Sequence, residues 1–386
     1  MGKWVKKKLG DYVVLQGGFA FQSKDFVEDG VPLIRIGDIT KEGLCDENAV
    51  KLPVNFLDEC KEFALNEYDT IIAMSGATTG KCTIVSKKNL PALLNQRVGR
   101  FKIKNSSIDK LYLYYIVSSY YYQQKLLLDA IGGAQPNVSP RQIEKVICAF
   151  PILLDGSPDF SEQRRIASIL SSADKVIDST QKLIAKYKSI KQGMMEDLLK
   201  PKEGWKKVKL GEVGKISMCK RVFSFETSIE GEIPFYKIGT FGKTADAFIT
   251  RQLFEEYKNK FSYPKVGDIL ISASGTIGRT VVYDGEPAYF QDSNIIWIDN
   301  DETIVLNQFL YYQYKIISWN LEGSTIARLY NDNFNKIEIF VPDFSEQRRI
   351  ASILSSIDKK IESEEKVLEK YKKVKKGLME KLLKVE

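Results

Sequence analysis

The sequence predicts an α+β protein: two pseudo-symmetric globular α/β units separated by two long antiparallel helices that form a coiled coil. Three observations carry that reading. The fourteen letters DFSEQRRIASILSS stand at Asp159–Ser172 and again at Asp343–Ser356, and Pro158–Lys200 aligns without a gap on Pro342–Lys384 with 30 of 43 positions identical. Apolar residues recur at helical spacing through both copies. Upstream of each copy the chain also repeats itself, more weakly. WVKKKLGD at Trp4–Asp11 matches WKKVKLGE at Trp205–Glu212, VPLIRIGDI at Val31–Ile39 matches IPFYKIGTF at Ile233–Phe241, and KVICAFP at Lys145–Pro151 matches KIEIFVP at Lys336–Pro342.

The first unit, residues 1–158, reads as short strands and connecting loops, with strands at Leu33–Ile36, Thr70–Met74, Thr83–Val85 and Gly99–Ile103 and a helix over Leu111–Ile131. The central helix, residues 159–200, opens with Asp159 and Glu162 as an N-cap and its third-residue partner. Its stripe runs Ile166, Ile169, Leu170, Ala173, Val176, Ile177, Leu183, Ile184, Tyr187, Ile190, Met194 and Leu198. The second unit, residues 201–342, repeats the pattern with strands at Phe235–Ile238, Asp268–Ser272, Thr280–Tyr283 and Ile295–Ile298 and a helix over Asn307–Leu321. The last helix, residues 343–386, carries the stripe Ile350, Ile353, Leu354, Ile357, Ile361, Val367, Leu368, Tyr371, Val374, Leu378 and Leu382. A rod of roughly 40 residues is about 60 Å long and would expose such a stripe if alone, so the two copies are expected to pack on each other.

Composition narrows the chemistry. Among 386 residues there is no histidine, which removes the commonest general base and metal ligand together. The five cysteines are scattered, with no CxxC pair, so neither a zinc site nor a disulfide framework is expected. Reduced thiols suit a cytoplasmic protein. No apolar run approaches the ~18–20 residues a membrane span needs. Lys and Arg exceed acids by 57 to 50, a mild excess compatible with a nucleic-acid partner. Basic runs at Lys6–Lys8, Lys200–Lys209 and Lys370–Lys376 are candidates for salt-sensitive phosphate contacts.

The candidate binding residues lie on loops that differ between the halves while the strands around them match. SGATTGK at Ser75–Lys81 is one residue too short for a phosphate-binding loop and is followed by Cys82, and its repeat SGTIGR at Ser274–Arg279 is shorter still. A hairpin tipped by a basic residue fits both, with Thr78, Lys81, Thr276 and Arg279 as candidate contacts. Gln22 and Lys24 stand opposite a loop bearing Arg221, Arg97 opposite Ser293 and Asn294, and Gln135 and Asn137 opposite Arg328 and Tyr330. Arg35 and Lys237 close the matching PLIRIG and PFYKIG segments. Gln, Asn and Arg are the side chains best able to pair bidentately with base edges. The signal is the pattern: a retained scaffold with varied polar tips.

These landmarks resemble the specificity subunit of Type I restriction–modification enzymes, the HsdS family. W-x-x-x-x-LG near the start, P-x-x-[RK]-IG, D-[TI]-[IL]-I before an SG…G[KR] turn, and a helix opened by EQRRIASIL occur in both halves, in order and over essentially the whole chain. The resemblance implies two target-recognition domains, each reading one half of an asymmetric bipartite site in double-stranded DNA, and helices that set the gap and dock two methyltransferase subunits. A restriction subunit can join. The chain itself would be non-catalytic and bind no cofactor; S-adenosylmethionine and ATP would sit on the partner subunits. The letters Glu162, Gln163, Arg164 and Arg165, repeated as Glu346, Gln347, Arg348 and Arg349, are the candidate surface meeting the same partner twice. The same architecture also allows a different class, a coiled-coil scaffold that binds protein without DNA specificity.

Overall fold

A computed structural model describes residues 3–40, 43–128, 136–319, 329 and 331–384. It forms two compact units, Met1–Gln181 with Lys366–Glu386, and Lys182–Glu365. The first unit runs β1 (Lys3–Lys8), β2 (Val13–Gly17), β3 (Val31–Ile34), β4 (Lys51–Leu52), α1 (Phe56–Glu59), β5 (Thr70–Ala73), β6 (Cys82–Ile84), β7 (Leu93–Leu94), β8 (Val98–Ile103), α2 (Lys110–Ser118), α3 (Tyr120–Leu128), α4 (Pro140–Lys145) and β9 (Ile147–Ile152), then enters α5 (Phe160–Leu198). Three sheets organise it: β1-β9, β2-β8-β5-β6 and β4-β3-β7, all antiparallel except the β3–β7 pair.

The second unit contains β10 (Lys206–Lys209), α6 (Leu210–Val213), β11 (Gly214–Ser217), β12 (Ile233–Tyr236), β13 (Phe248–Ile249), α7 (Arg251–Lys260), β14 (Ile269–Ser272), β15 (Thr280–Val282), β16 (Tyr289–Phe290), β17 (Ile295–Asn300), α8 (Asn307–Ile316), α9 (Asn331–Lys336) and β18 (Glu338–Val341), before α10 (Phe344–Leu382). Its sheets, β10-β18, β11-β17-β14-β15 and β13-β12-β16, repeat those of the first unit strand for strand, down to the one parallel pair, β12–β16. Register repeats too: Ile72 opposes Gly99 where Ile271 opposes Ile296. Side chains do not follow. The next pair inward sets Arg100 beside Ile71, and the matching position on β17 is Trp297, 2% exposed. Arg100 is itself buried, and its guanidinium is held by Gln16 Oε1 (2.6 Å), the carbonyls of Ala64 (2.7 Å) and Glu62 (2.6 Å), and Asp69 (3.1 Å). The repeat thus retains hydrogen-bonded backbone and lets each interior choose its own filling.

Each unit holds the start of one long helix and the end of the other. In the first, Ile166, Ala167 and Leu170 of α5 and Leu383 join the core, with Leu378, Met379 and Leu382 packed against it. In the second, Met195 and Leu199 join Ile350, Ala351 and Leu354. Burying each such Leu or Ile contributes about 1.5–3 kcal/mol. Within each unit the two helix segments run antiparallel. In the first, Asp174 pairs with Lys375, and the Glu162 carboxyl, held below its usual range chiefly by its hydrogen bond from Arg165, is also within the field of Lys384. In the second, Lys191 meets Asp358 at 2.6 Å and Lys188 meets Glu365 at 2.6 Å.

Two of these ion pairs, Asp174–Lys375 and Lys191–Asp358, belong to matching three-residue locks. Tyr115 of α2 donates its hydroxyl to Asp174 of α5 at 2.8 Å, and Lys375 of α10 binds the other carboxylate oxygen. Tyr312 of α8 donates to Asp358 of α10 at 2.9 Å, and Lys191 of α5 completes the set. Each lysine also sits over its tyrosine ring, at 5.8 and 5.7 Å. Each lock therefore ties a head helix to both long helices.

Three sequence expectations need correction. The stripes are narrower than read: Val176 (42%), Ile190 (39%), Tyr371 (39%) and Val374 (49%) are exposed. An antiparallel pair covers only the central seam of a broad stripe, and buried Thr180, Met195 and Leu199 supply part of that seam instead. The helix read over Leu111–Ile131 is interrupted at Ser119. Its hydroxyl donates to the Ile116 carbonyl (2.7 Å) and accepts from the Tyr122 amide (3.2 Å), capping the end of α2 and the start of α3 together. The capping box of α5 is half made. Asp159 accepts from the Glu162 amide at 3.0 Å, but the Glu162 carboxylate turns to grip Arg165 at 2.6 and 2.7 Å.

The interior tyrosines set the alkaline limit. Burial raises the phenols of Tyr112, Tyr122 and Tyr314 above the ordinary value of 10.0. Unfolded tyrosines lose their protons near that value while folded ones keep them. The unfolded state thus binds fewer protons, and rising pH favours it. Stability from these groups is complete below pH ~10 and falls above it. In an alkaline titration, tyrosinate absorbance should appear together with loss of helical circular dichroism; most tyrosinate forming near pH ~10 with the helices intact would contradict this.

Candidate nucleic-acid interface

The loops singled out by sequence converge in the first unit because the strands that launch them are neighbours. The Asn95 amide donates to the Ile34 carbonyl (3.1 Å) and the Gln96 amide to Phe19 (2.9 Å). The β5–β6 hairpin carries the Ser75–Lys81 turn, where Gly76 (φ +80°) and Gly80 (φ +85°) take left-handed backbone. Thr78 donates its hydroxyl to the Ile36 carbonyl at 3.0 Å, drawing this turn onto the loop of Arg35. The Met74 amide binds the Arg97 carbonyl (3.0 Å), and Ser75 bridges Asn137. One continuous rim results. On it Gln22, Lys24, Arg97 and Asn137 are exposed, while Arg35, Thr78 and Lys81 are half-buried.

The second unit builds the same rim with more internal pairing. Arg221 binds Asp292 at 2.9 Å and Lys237 binds Asp246 at 2.8 Å. Arg279 donates to the Phe241 carbonyl at 2.9 Å, so its guanidinium is turned back onto the fold. Ser274 donates to Asn294 Oδ1 at 2.7 Å, while Ser293 beside it takes left-handed backbone at φ +53°. Thr276 stays exposed at the turn. Gln291, which sequence reasoning passed over, accepts from the Ile238 amide at 2.9 Å and holds the Lys237 loop to the rim. Gln135, Arg328 and Tyr330 lie outside the described residues.

The repeated Glu-Gln-Arg-Arg letters divide between interior and surface. Gln163 and Gln347 are fully buried, so they are removed from the candidate partner surface. Gln163 Oε1 accepts from the Asp109 amide at 2.8 Å. Gln347 accepts from the Leu306 amide (2.8 Å) and donates to the carbonyls of Ile304 (3.2 Å) and Pro342 (2.9 Å). Each glutamine anchors the loop that precedes its head helix. Arg164, Arg165, Arg348 and Arg349 remain exposed, with Arg165 and Arg349 held by the adjacent Glu162 and Glu346.

Sequence reasoning missed a further exposed feature of the second rim. Phe223 and Phe225 stack on one another, ring centroids 5.7 Å apart and 6° from parallel, at 48% and 82% exposure. The signal was present in the loop alignment, where these letters face Gln22 and Lys24. Among the described residues no cluster of three or more His, Cys, Asp or Glu is placed to hold a metal ion, and no helix is long and apolar enough to cross a membrane.

Two heads of one topology, each with a polar rim and each docked on paired helices, define a two-headed recognition protein. Comparison with known proteins agrees. Residues 1–188 and 202–373 match the family model described as the Type I restriction modification DNA specificity domain, and the chain belongs to that family. It is 61% identical over 164 residues to a putative type I restriction enzyme specificity subunit of Haemophilus influenzae, covering 42% of this chain and 43% of that one. A type I specificity subunit of Methanocaldococcus jannaschii is 30% identical over 202 residues, 51% of this chain and 45% of its own. The chain thus spans less than half the length of these two relatives. A second M. jannaschii protein, a putative specificity subunit, aligns over 98% of this chain and 92% of its own at 25% identity. Among solved structures, the fold matches the Type I restriction–modification S subunit of M. genitalium with a TM-score of 0.65 at 16% identity, covering 99% of this chain and 96% of that one.

Proposed function

We propose that this chain is the non-catalytic DNA-specificity subunit of a Type I restriction–modification system. Each rim reads one half of a bipartite double-stranded site, and the paired helices set the gap between the halves. Two methyltransferase subunits dock symmetrically, through surfaces that include Arg164, Arg165, Arg348 and Arg349, and a restriction subunit can join the assembly. S-adenosylmethionine and ATP are bound by those partners, and the complex works in the cytoplasm on the cell's own DNA.

The observation that carries this reading is the contrast within the repeat. Backbone topology and register are shared and the helix letters are nearly so, while the residues on the two rims differ in kind. A partner met twice requires sameness, and an asymmetric site requires difference. Among the rim residues, Lys24, Arg97 and Lys81 suit phosphate or base contacts, and Gln22 and Asn137 suit adenine edges.

Head exchange tests it. Replacing residues 1–158 with the corresponding head of another specificity subunit should change one half of the methylated motif in the host methylome and leave the other half and the gap unchanged. An unaltered methylome, or a change in both halves, would reject independent reading.

A further inference from the structure

The two rims present opposite chemistries from one backbone device. In the first unit a short helical turn at Ser23–Asp25 has Gln22 at its N-cap, with the Asp25 amide bound to the Gln22 carbonyl at 3.0 Å. In the second the equivalent turn is Ser224–Glu226, with Phe223 at its N-cap and the Glu226 amide on the Phe223 carbonyl at 3.0 Å. Gln22 and Lys24 therefore occupy the places that Phe223 and Phe225 occupy in the other head. Aromatic residues near the first turn find ring partners elsewhere in the fold: half-buried Phe21 packs on Phe56, and Phe19, although 45% exposed, on Phe63. Phe223 and Phe225 instead stack only on each other among the ring pairs of the described residues.

Their exposure is built in rather than loose. The Glu226 carboxylate accepts from the Phe223 amide at 2.8 Å and from the Tyr257 hydroxyl at 3.0 Å, clamping the turn from both sides. Two residues before the pair, Arg221 is fixed to Asp292 on the rim. A rigid apolar pair on a rim of polar groups calls for an apolar feature on its ligand. In the major groove the 5-methyl group of thymine is the only such feature on a base edge.

We propose that Phe223 and Phe225 contact thymine methyl groups in the half-site read by the second unit, which makes that half-site thymine-containing. This rests on the DNA-specificity reading, and the experiment separates the two. The full-length chain, co-purified with its methyltransferase subunits, is titrated with duplexes bearing its methylation motif, with thymine or deoxyuridine in each half-site. Loss of one buried methyl should weaken binding by about fourfold, since a buried carbon is worth ~0.8 kcal/mol. The expected result is that loss for deoxyuridine in the second unit's half-site, an equal loss for Phe223→Ala/Phe225→Ala on thymine, and no further loss when both changes are combined. Being exposed, the pair can be replaced without lowering the melting temperature. A half-site without thymine overturns the assignment. So does a double variant that still responds to deoxyuridine, or one that binds less tightly although the wild type ignores the methyl. Absence of any motif-selective binding by the wild-type complex would instead strike the functional reading itself.

Discussion

Arg100→Ala should lower the stability of the first unit by about 3–5 kcal/mol, the largest effect expected of any single substitution here. The guanidinium is 5% exposed and its partners come from three segments: Gln16 on β2, the loop carbonyls of Glu62 and Ala64, and Asp69 at the start of β5. Truncation orphans the Ala64 carbonyl and strips Asp69 of its cation, leaving that carboxylate only the Asn66 amide at 2.9 Å, while the Glu62 carbonyl keeps Gln16 Nε2 at 3.1 Å. The cost lies in the abandoned partners, so Arg100→Met combined with Asp69→Asn should recover part of it. Urea unfolding followed by circular dichroism measures both variants. Equal stability of Arg100→Ala and wild type would show that the buried cluster contributes nothing net. The second unit supplies its own comparison, because Trp297 fills the matching site without any charge.

Gln347→Leu should cost about 2–4 kcal/mol, and Gln163→Leu clearly less, although the two glutamines sit at one position of the repeat. The Gln347 side chain serves one amide and two carbonyls, all of which leucine abandons in the interior. Gln163 serves the Asp109 amide through its oxygen, and its own Nε2 is buried without a hydrogen-bond partner. Removing an amide group that is already half unsatisfied sacrifices less. Thermal unfolding of the paired variants reads the difference, and a larger loss for Gln163→Leu would refute the hydrogen-bond account.

Much of the fold was legible because duplication supplies an internal control. Segments that match across the halves mark strands and helix starts, and those places carry the shared sheets and the Asp159 and Asp343 caps. Hydropathy misled where burial and polarity part company. Gln163 and Gln347 carry polar letters on a helix and were read as surface, yet a loop amide beneath each needs an acceptor. Phe223 and Phe225 are apolar letters in a loop considered for its polar ones, and a clamped turn holds them outward. Arg100 gave no sign, because one cation in a strand does not announce three segments folding over it. The rim itself was foreseeable as a set of loops. Its closure was not, since hydrogen bonds such as Thr78 to Ile36 join residues far apart in the chain.

The division of the chain has a consequence for the order of synthesis. The second unit is one unbroken stretch, Lys182–Glu365, whereas the first needs Lys366–Glu386 to finish. Leu383, 1% exposed, belongs to the first unit's core, and Lys375 completes the Tyr115–Asp174 lock. The head translated first is thus the last whose interior can close. Until the final helix emerges from the ribosome, Ile166 and Leu170 lack part of their cover, and the nascent chain carries that apolar face through translation of more than half its length.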